Sequence, residues 1–211
     1  MPAPRQRCPT CLRPHSACIC PWVTPLAHQA EVLILQHPLE VAHAKGSARL
    51  LHLSLPHSQL VVGEVFDEAA LHELLTSPWQ DGPAQRQAVL LYPATSDNMP
   101  SARKLEPLLP TQIRLVVLDG TWRKSRKMLH QNPLLQQLPR LALHDLPASH
   151  YHVRQAHRPN QRSTLEATCA ALAQLEGDAE RFAPLLAAFD RFVERVASKQ
   201  PGHSLLNKKG L

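Results

Sequence analysis

The chain has 211 residues, enough for one sizeable domain with a small attachment, and its 23 lysines and arginines outnumber its 17 aspartates and glutamates. This basic excess favours a polyanionic partner. The sequence lacks the apolar stretch of about 18 residues that a transmembrane helix needs, and its start lacks the apolar core of a signal peptide. We therefore expect a cytoplasmic protein that does not span a membrane.

The first 28 residues are predicted to form a separate unit around four cysteines. A CxxC pair and a CxC pair lie six residues apart, at Cys8, Cys11, Cys18 and Cys20. Four close thiolates suit tetrahedral zinc, and four sulfurs would close its shell, so the metal is expected to be structural. In a reducing compartment zinc is favoured over disulfides or free thiols. Cys169 lies in a helical pattern and is expected to be a small buried hydrophobe.

After this unit, strand and helix patterns alternate over residues 29–211. Short apolar runs predict strands at 32–36, 60–65, 88–92, 113–118 and 141–143. Helices are predicted at 42–53, from about Asp67, after Thr121, from Ser163 and along the apolar stripe that starts at Phe182. This alternation predicts an α/β domain with a mostly parallel sheet flanked by helices.

The most informative segment is Asp119-Gly-Thr-Trp122, which follows the fourth predicted strand. Thr121 can cap the next helix, so Asp119 would lie at the carboxyl end of a strand, beside a helix N-terminus that favours anions. Ligands bind at that edge of open α/β sheets. The alternative is that Asp119 and Thr121 only cap the helix.

Other predicted element ends also carry polar or turn residues. His37-Pro-Leu-Glu40 follows the first strand, Tyr92-Pro-Ala-Thr95 follows the third, and Ser163 with Glu166 opens a later helix. Each has an ordinary structural explanation, since proline stops strands and Ser163 with Glu166 forms a capping box. If these ends meet at one edge of the sheet, they and Asp119 surround a common pocket.

The joint order of CxxC…CxC, HPLE, LYPA, DGTW and STLEA closely resembles the DTW-domain family, whose members are tRNA-uridine aminocarboxypropyltransferases. The resemblance runs from Cys8 to about Ala171 and implies a fold related to the SPOUT class, with a C-terminal trefoil knot. It also implies S-adenosylmethionine as the donor of a 3-amino-3-carboxypropyl group to N3 of a uridine. One departure is Gly46-Ser47, where the family pattern would place Asn-Thr, although Ser47 still offers a hydroxyl.

The resemblance gives the pocket residues expected roles. Asp119 is the candidate catalytic residue, either as the base that takes the N3 proton or as an anchor for the substrate. Trp122 is expected to pack against an adenine or uracil ring, with a core position as the alternative. The residues expected to bind S-adenosylmethionine are His37, Pro38, Leu91, Tyr92, Pro93, Leu118, Thr121, Trp122, Ser163, Thr164 and Glu166.

Two clusters of cations are expected to bind the phosphates of tRNA. The first follows Trp122, where Arg123, Lys124 and Lys127 fall on one side of the predicted helix, opposite Trp122, Ser125 and Leu129. A solvated surface helix would show the same pattern. The full set of expected RNA-binding residues is Arg123, Lys124, Arg126, Lys127, Arg154, Arg158 and Arg162.

The sequence therefore predicts a cytoplasmic, S-adenosylmethionine-dependent tRNA-uridine aminocarboxypropyltransferase that carries structural zinc, with a monomer favoured. Two alternatives remain. A SPOUT-like RNA methyltransferase would share the donor and the fold but align the methyl carbon with the nucleophile. A zinc-containing RNA-binding protein would carry out no reaction.

Overall fold

The computed structural model describes residues 6–43, 46–79, 86–93, 108–143 and 162–198. Within them, five strands form one sheet in the order β2-β1-β4-β3-β5, and every neighbouring pair is parallel. The α/β class and the parallel sheet are confirmed. The strands are β1 (Glu31–Gln36), β2 (Ser58–Val62), β3 (Gln87–Leu91), β4 (Ile113–Asp119) and β5 (Arg140–Leu141).

Helices cover both faces of the sheet, because the buried strands present apolar side chains alternately to each side. In β1, Val32 and Ile34 join the core on one face, and Leu33 and Leu35 join the core on the other. Helices α1 (Ala48–Ser54), α5 (Thr164–Glu176) and α6 (Ala183–Ser198) pack on the first face. Helices α2 (Glu68–Thr76), α3 (Trp122–Gln131) and α4 (Pro133–Gln136) pack on the second.

Two predicted boundaries were wrong by several residues. Helix α1 begins at Ala48 rather than residue 42, because a 3-10 turn at Pro38–Glu40 continues into further turns. Strand β2 runs over Ser58–Val62 rather than 60–65, because it stays in register with β1 and ends opposite Gln36. The fifth strand is also shorter and earlier than the predicted 141–143.

The cysteine-rich segment packs on the α6 side of the sheet. Cys8, Cys11 and Ile19 are buried in the same apolar core as Phe189 and Phe192 of α6. The Trp22 ring lies 5.4 Å from the Phe192 ring, measured between centroids. This contact continues the main core into the N-terminal segment. Among the described residues, no helix combines the length and the apolar character needed to cross a membrane.

A buried ionic cluster closes the amino-terminal edge of the sheet. Arg114 of β4 is fully buried, and its guanidinium binds the Glu31 carboxylate of β1 at 2.7 Å. The same guanidinium donates to the carbonyls of Leu74 and Ser77, each at 2.7 Å, and lies over the Trp79 ring. Arg114 therefore joins β1, β4 and the end of α2 at the edge opposite the predicted site.

The connections that follow β1 and β4 leave in opposite directions across the sheet. From β1 the chain crosses to the outer strand β2, and it then passes to β3 on the other side of β4. Adjacent β1 and β4 therefore lie where the strand order reverses, which is where open α/β sheets bind ligands. Gln36 and Asp119 are paired in register at this point.

Candidate active site

Asp119 ends β4 at the carboxyl edge of the sheet, where it is buried and accepts a hydrogen bond on each carboxylate oxygen. Gln36 Nε2 donates to Oδ2 at 2.8 Å, and Thr164 Oγ1 donates to Oδ1 at 2.6 Å. The side chain is therefore fixed by a neighbouring strand and by the first residue of α5. Thr121, rather than Asp119, caps α3, because its hydroxyl accepts from the Lys124 N–H at 3.4 Å. The interpretation of Asp119 as only a cap loses its support.

The N-terminus of α5 is held in place by the predicted capping box. The Ser163 hydroxyl accepts from the Glu166 N–H at 3.3 Å, and the Glu166 carboxylate accepts from the Ser163 N–H at 2.8 Å. Ser47, at the start of α1, accepts a hydrogen bond from the Leu165 N–H at 3.3 Å. The serine at the departure from the family pattern therefore helps to position the helix that presents Thr164 to Asp119. Lys45 lies outside the described residues.

Tyr92, after β3, and Trp122, at the start of α3, form a stacked aromatic pair. Their ring centroids are 5.2 Å apart and their planes differ by 15°. Tyr92 is buried, which raises the pKa of its hydroxyl, whereas Trp122 is 52% exposed. Trp122 is therefore not a core residue, and its exposed surface is available to an aromatic ligand.

The other residues expected at the pocket differ in accessibility. Leu118 is buried in the core under α3, and Leu91 packs partly against the opposite core. Pro93 is exposed, and its carbonyl accepts from the Arg140 guanidinium at 3.4 Å. A ligand at this edge would therefore meet Pro93 and Trp122 more readily than the Leu118 side chain.

His37 takes part in a polar chain along the carboxyl edge. Its Nδ1 accepts from the Leu39 N–H at 3.1 Å, so the proton of the neutral ring is on Nε2, which lies 3.1 Å from Glu64 Oε1. Lys127 Nζ lies 2.9 Å from the same carboxylate oxygen. Hydrogen bonds from Lys127 and His37 lower the pKa of Glu64. Pro38 opens the 3-10 turn beside this chain.

Sequence reasoning missed two members of this site, Gln36 and Glu64. Gln36 carried a usable signal, because it is a polar residue at the end of the apolar run Val32–Leu35. Glu64 carried none, because it was assigned to the interior of a longer second strand. With the observed β2, Glu64 instead follows the strand and reaches the carboxyl edge.

The basic helix α3 contains two kinds of cation. Lys124 Nζ lies 2.7 Å from Glu40 Oε1, and Lys127 pairs with Glu64. Arg123 and Arg126 are exposed and make no ion pair with any residue in the described parts of the chain. Arg162 is also exposed, immediately before the α5 cap. Arg154 and Arg158 lie outside the described residues.

The four N-terminal cysteines converge as the zinc prediction requires. Their sulfurs all lie within 4.8 Å of one another, with Cys8–Cys20 at 3.6 Å and Cys11–Cys18 at 3.7 Å. Zinc–sulfur bonds of about 2.3 Å in a tetrahedron place sulfurs about 3.8 Å apart, so the cluster fits this metal.

The surroundings of the sulfurs favour the thiolate at Cys8 and the thiol at Cys20. Backbone hydrogen bonds from Cys11 and Thr10 lower the pKa of Cys8 to about 6, whereas burial and the neighbouring sulfurs raise the pKa of Cys20 to about 12. A cation at the centre would favour the ionised form of every ligand.

These features define a class of protein. It is a parallel α/β protein in which a carboxylate, an exposed tryptophan and a basic helix lie at one sheet edge, where the strand order reverses. The chain belongs to the DTW-domain family, whose model matches residues 5–197.

Two curated relatives are similar to the chain over much of its length. It is 32% identical over 187 residues to tRNA-uridine aminocarboxypropyltransferase 2 of Drosophila melanogaster, covering 85% of this chain and 70% of that protein. It is 26% identical over 140 residues to tRNA-uridine aminocarboxypropyltransferase A of Arabidopsis thaliana, covering 59% of this chain and 50% of that protein. No solved structure matches the chain.

Proposed function

We propose that the protein is a tRNA-uridine aminocarboxypropyltransferase that uses S-adenosylmethionine. The observation that carries the proposal is that Asp119, Thr164 and the Tyr92–Trp122 stack, which come from three separate family motifs, lie at one edge of the sheet. The family membership and the names of both relatives support this reaction class.

The reaction breaks a carbon–sulfur bond of S-adenosylmethionine and forms a carbon–nitrogen bond to uridine. Uridine N3 gives its proton to a base, for which Asp119 is the candidate, and attacks the methylene carbon that joins the aminocarboxypropyl group to the sulfonium. The sulfur–carbon bond breaks, its electron pair stays on sulfur, and neutral methylthioadenosine leaves. Because a sulfonium has three carbons open to attack, the protein must select one by alignment, and alignment can lower a barrier by about 7–11 kcal/mol.

We assign to Asp119 the contact with the N3–H group of uridine. Gln36 and Thr164 each occupy one carboxylate oxygen, and each oxygen keeps a further lone pair that can accept. A carboxylate fixed in this way orients the uracil, and it is also our candidate for the general base.

The donor and the metal are assigned to separate parts of the molecule. For S-adenosylmethionine we retain the expected contacts around His37, Tyr92, Thr121, Trp122 and the start of α5. For zinc we propose a structural site at the four-cysteine cluster, supported by the sulfur spacing. The boundary at residue 28, the cytoplasmic location, the monomeric state and the trefoil knot stay predictions. The segment 144–161, before α5, lies outside the described residues.

The test is to incubate the protein with S-adenosylmethionine and unmodified tRNA and then to weigh the nucleosides by mass spectrometry. We expect uridine with an aminocarboxypropyl increment, together with methylthioadenosine. A methyl increment would instead identify an RNA methyltransferase, and binding without any product would identify an RNA-binding protein. Either result overturns the proposal.

Asp119→Asn and Asp119→Ala test the assigned residue in the same assay. We expect Asp119→Asn to lower the turnover number by about 10²–10⁴, the range typical of general acid–base groups, because it retains polarity but cannot take the proton. Full turnover in both variants would show that Asp119 is neither base nor anchor. A loss in the alanine variant alone would assign it to orientation.

A further inference from the structure

We infer that the four cations of α3 divide into two functional pairs. Arg123 and Arg126, here called the arginine pair, bind tRNA phosphates beside the reacting uridine. Lys124 and Lys127 instead fix the loops of the active site and do not contact RNA. The identity of the RNA and of the reacting base rests on the proposed function.

The two lysines are already neutralised by carboxylates from the loops that follow β1 and β2. Lys124 pairs with Glu40 at 2.7 Å, and both side chains are largely removed from solvent, at 25% and 14% exposure. Lys127 pairs with Glu64, whose carboxylate also accepts a hydrogen bond from the His37 ring. Each lysine therefore joins α3 to a loop at the carboxyl edge of the sheet, and a carboxylate offsets its charge.

The arginine pair differs from the lysines in its ion pairing, although Lys127, at 57%, is exposed as well. Arg123 and Arg126 are exposed and, within the described residues, have no carboxylate partner. They are three residues apart on a helix, so their Cβ atoms lie about 5–6 Å apart on neighbouring positions of its surface. Guanidinium groups bind phosphates through paired hydrogen bonds, and they are less strongly hydrated than ammonium groups. The arginine pair is therefore suited to binding the phosphodiester backbone of RNA.

The position of the pair relates this surface to the chemistry. Arg123 lies in the first turn of α3, four residues after Asp119, and Arg126 lies one turn further on. Trp122, between Asp119 and the pair, is held against Tyr92. A uridine bound with its N3 atom at Asp119 would therefore place the phosphates on either side of it near the arginine pair. We expect the pair to contact these phosphates and not the phosphates of a distant RNA stem.

The inference is tested by the salt dependence of tRNA binding, measured with pooled unmodified tRNA transcripts and the full-length protein between about 50 and 300 mM salt. We expect Arg123→Ala and Arg126→Ala each to weaken binding about tenfold at low salt. Each should also make the slope of log affinity against log salt shallower by about 1. Arg126→Lys should retain most of the slope, because it retains the charge.

Two controls separate the pair from general surface charge. Arg191→Ala removes an exposed arginine from α6, on the other face of the sheet, and should leave affinity and slope unchanged. The double variant Lys127→Met/Glu64→Gln removes both members of an ion pair without changing net charge, and the new amide can still accept from His37. We expect its slope to match that of the wild-type protein.

Unchanged slopes in both arginine variants would overturn the inference, as would an equal loss of slope in Lys127→Met/Glu64→Gln. The transfer assay distinguishes this failure from failure of the proposed function. If wild-type protein forms no aminocarboxypropyl-uridine, the reaction assignment fails whatever the slopes are. If the wild-type protein forms the product while the arginine variants bind tRNA normally, only the inference about the two pairs of cations is wrong.

Discussion

At the scale of single residues, the site depends on an acid that is held by its neighbours. Asp119 accepts hydrogen bonds from Gln36 on β1 and from Thr164 on α5, so one carboxylate joins two strands and a helix. Hydrogen bonds to a charged group are worth about 1.5–3 kcal/mol each. We therefore predict that Thr164 is a positioning residue, because its hydroxyl donates to Asp119.

Thr164→Val should weaken both stability and catalysis, because it keeps the shape of the side chain but removes the donor to Asp119. We expect the free energy of unfolding to fall by about 1.5–3 kcal/mol, with a reduced turnover number. Thr164→Ser, which keeps the hydroxyl, should restore most of both. Denaturant unfolding and single-turnover transfer measure the two effects. Wild-type values for the valine variant would show that the 2.6 Å contact carries neither role.

At the scale of elements, the sequence predicted the succession of strands and helices along the chain better than it predicted the residues at which they end. The alternation of Val32 to Leu35 between two cores follows from buried parallel pairing, which an unbroken apolar run indicates. The end of β2 could not be predicted, because Val62 and Val65 are equally good strand residues. Pairing with β1 ends the strand, and that is a tertiary constraint.

The candidate site shows the same division between local and long-range information. Thr121 and Ser163 are caps that neighbouring residues reveal, and both predictions are confirmed. The ion pairs of Lys124 and Lys127 could not be predicted, because Glu40 and Glu64 are 84 and 63 positions away in sequence. A helical wheel shows which side of α3 carries positive charge, but not which of those charges are already paired.

The ionic cluster around Arg114 provides a stability test at the edge of the sheet opposite the site. Removing one partner of a buried ion pair typically costs about 3–5 kcal/mol, because the other charge stays buried without it. Arg114→Met should therefore lower the free energy of unfolding by about that amount, because it removes one of the two cations paired with Glu31 and also the donor to the carbonyls of Leu74 and Ser77. Denaturant unfolding measures this change.

A matched variant tests whether the charge, rather than the packing, is responsible. Arg114→Met, Glu31→Gln and the double variant form a double-mutant cycle, in which the loss of the Arg86–Glu31 pair is common to both variants that carry Glu31→Gln. We expect the double variant to cost less than the sum of the two single variants. Transfer activity per folded molecule should stay near that of the wild type in all three variants, because the cluster lies at the amino ends of β1 and β4. A cost below about 1 kcal/mol for the single variant would contradict the role of Arg114 in joining β1, β4 and α2.

At the scale of the whole molecule, the cysteine segment extends the main core. Cys8 and Cys11 share an apolar cluster with α6, and Arg13 donates to the carbonyls of His43 and Gly46 at 3.0 and 3.1 Å, just before α1. A metal that ordered this segment would therefore also support α6 and the loop leading to α1. Ser47 in turn supports α5, so the proposed zinc site is connected to Thr164 through packed residues.

Removing the metal should consequently destabilise the α/β domain as well as its N-terminal segment. We expect one zinc per chain in freshly purified protein and a melting temperature that falls on chelation, because a ligand that binds only the folded state stabilises it. Cys18→Ser should lose the zinc and make melting insensitive to chelator. Cys169→Ala is the matched control, since Cys169 is buried in the same core but outside the cluster. It should lower stability through packing while keeping one zinc.

Zinc-free wild-type protein, or a Cys18→Ser variant that retains zinc, would contradict the four-cysteine site. Equal chelator sensitivity in wild type and Cys18→Ser would show that the metal acts elsewhere.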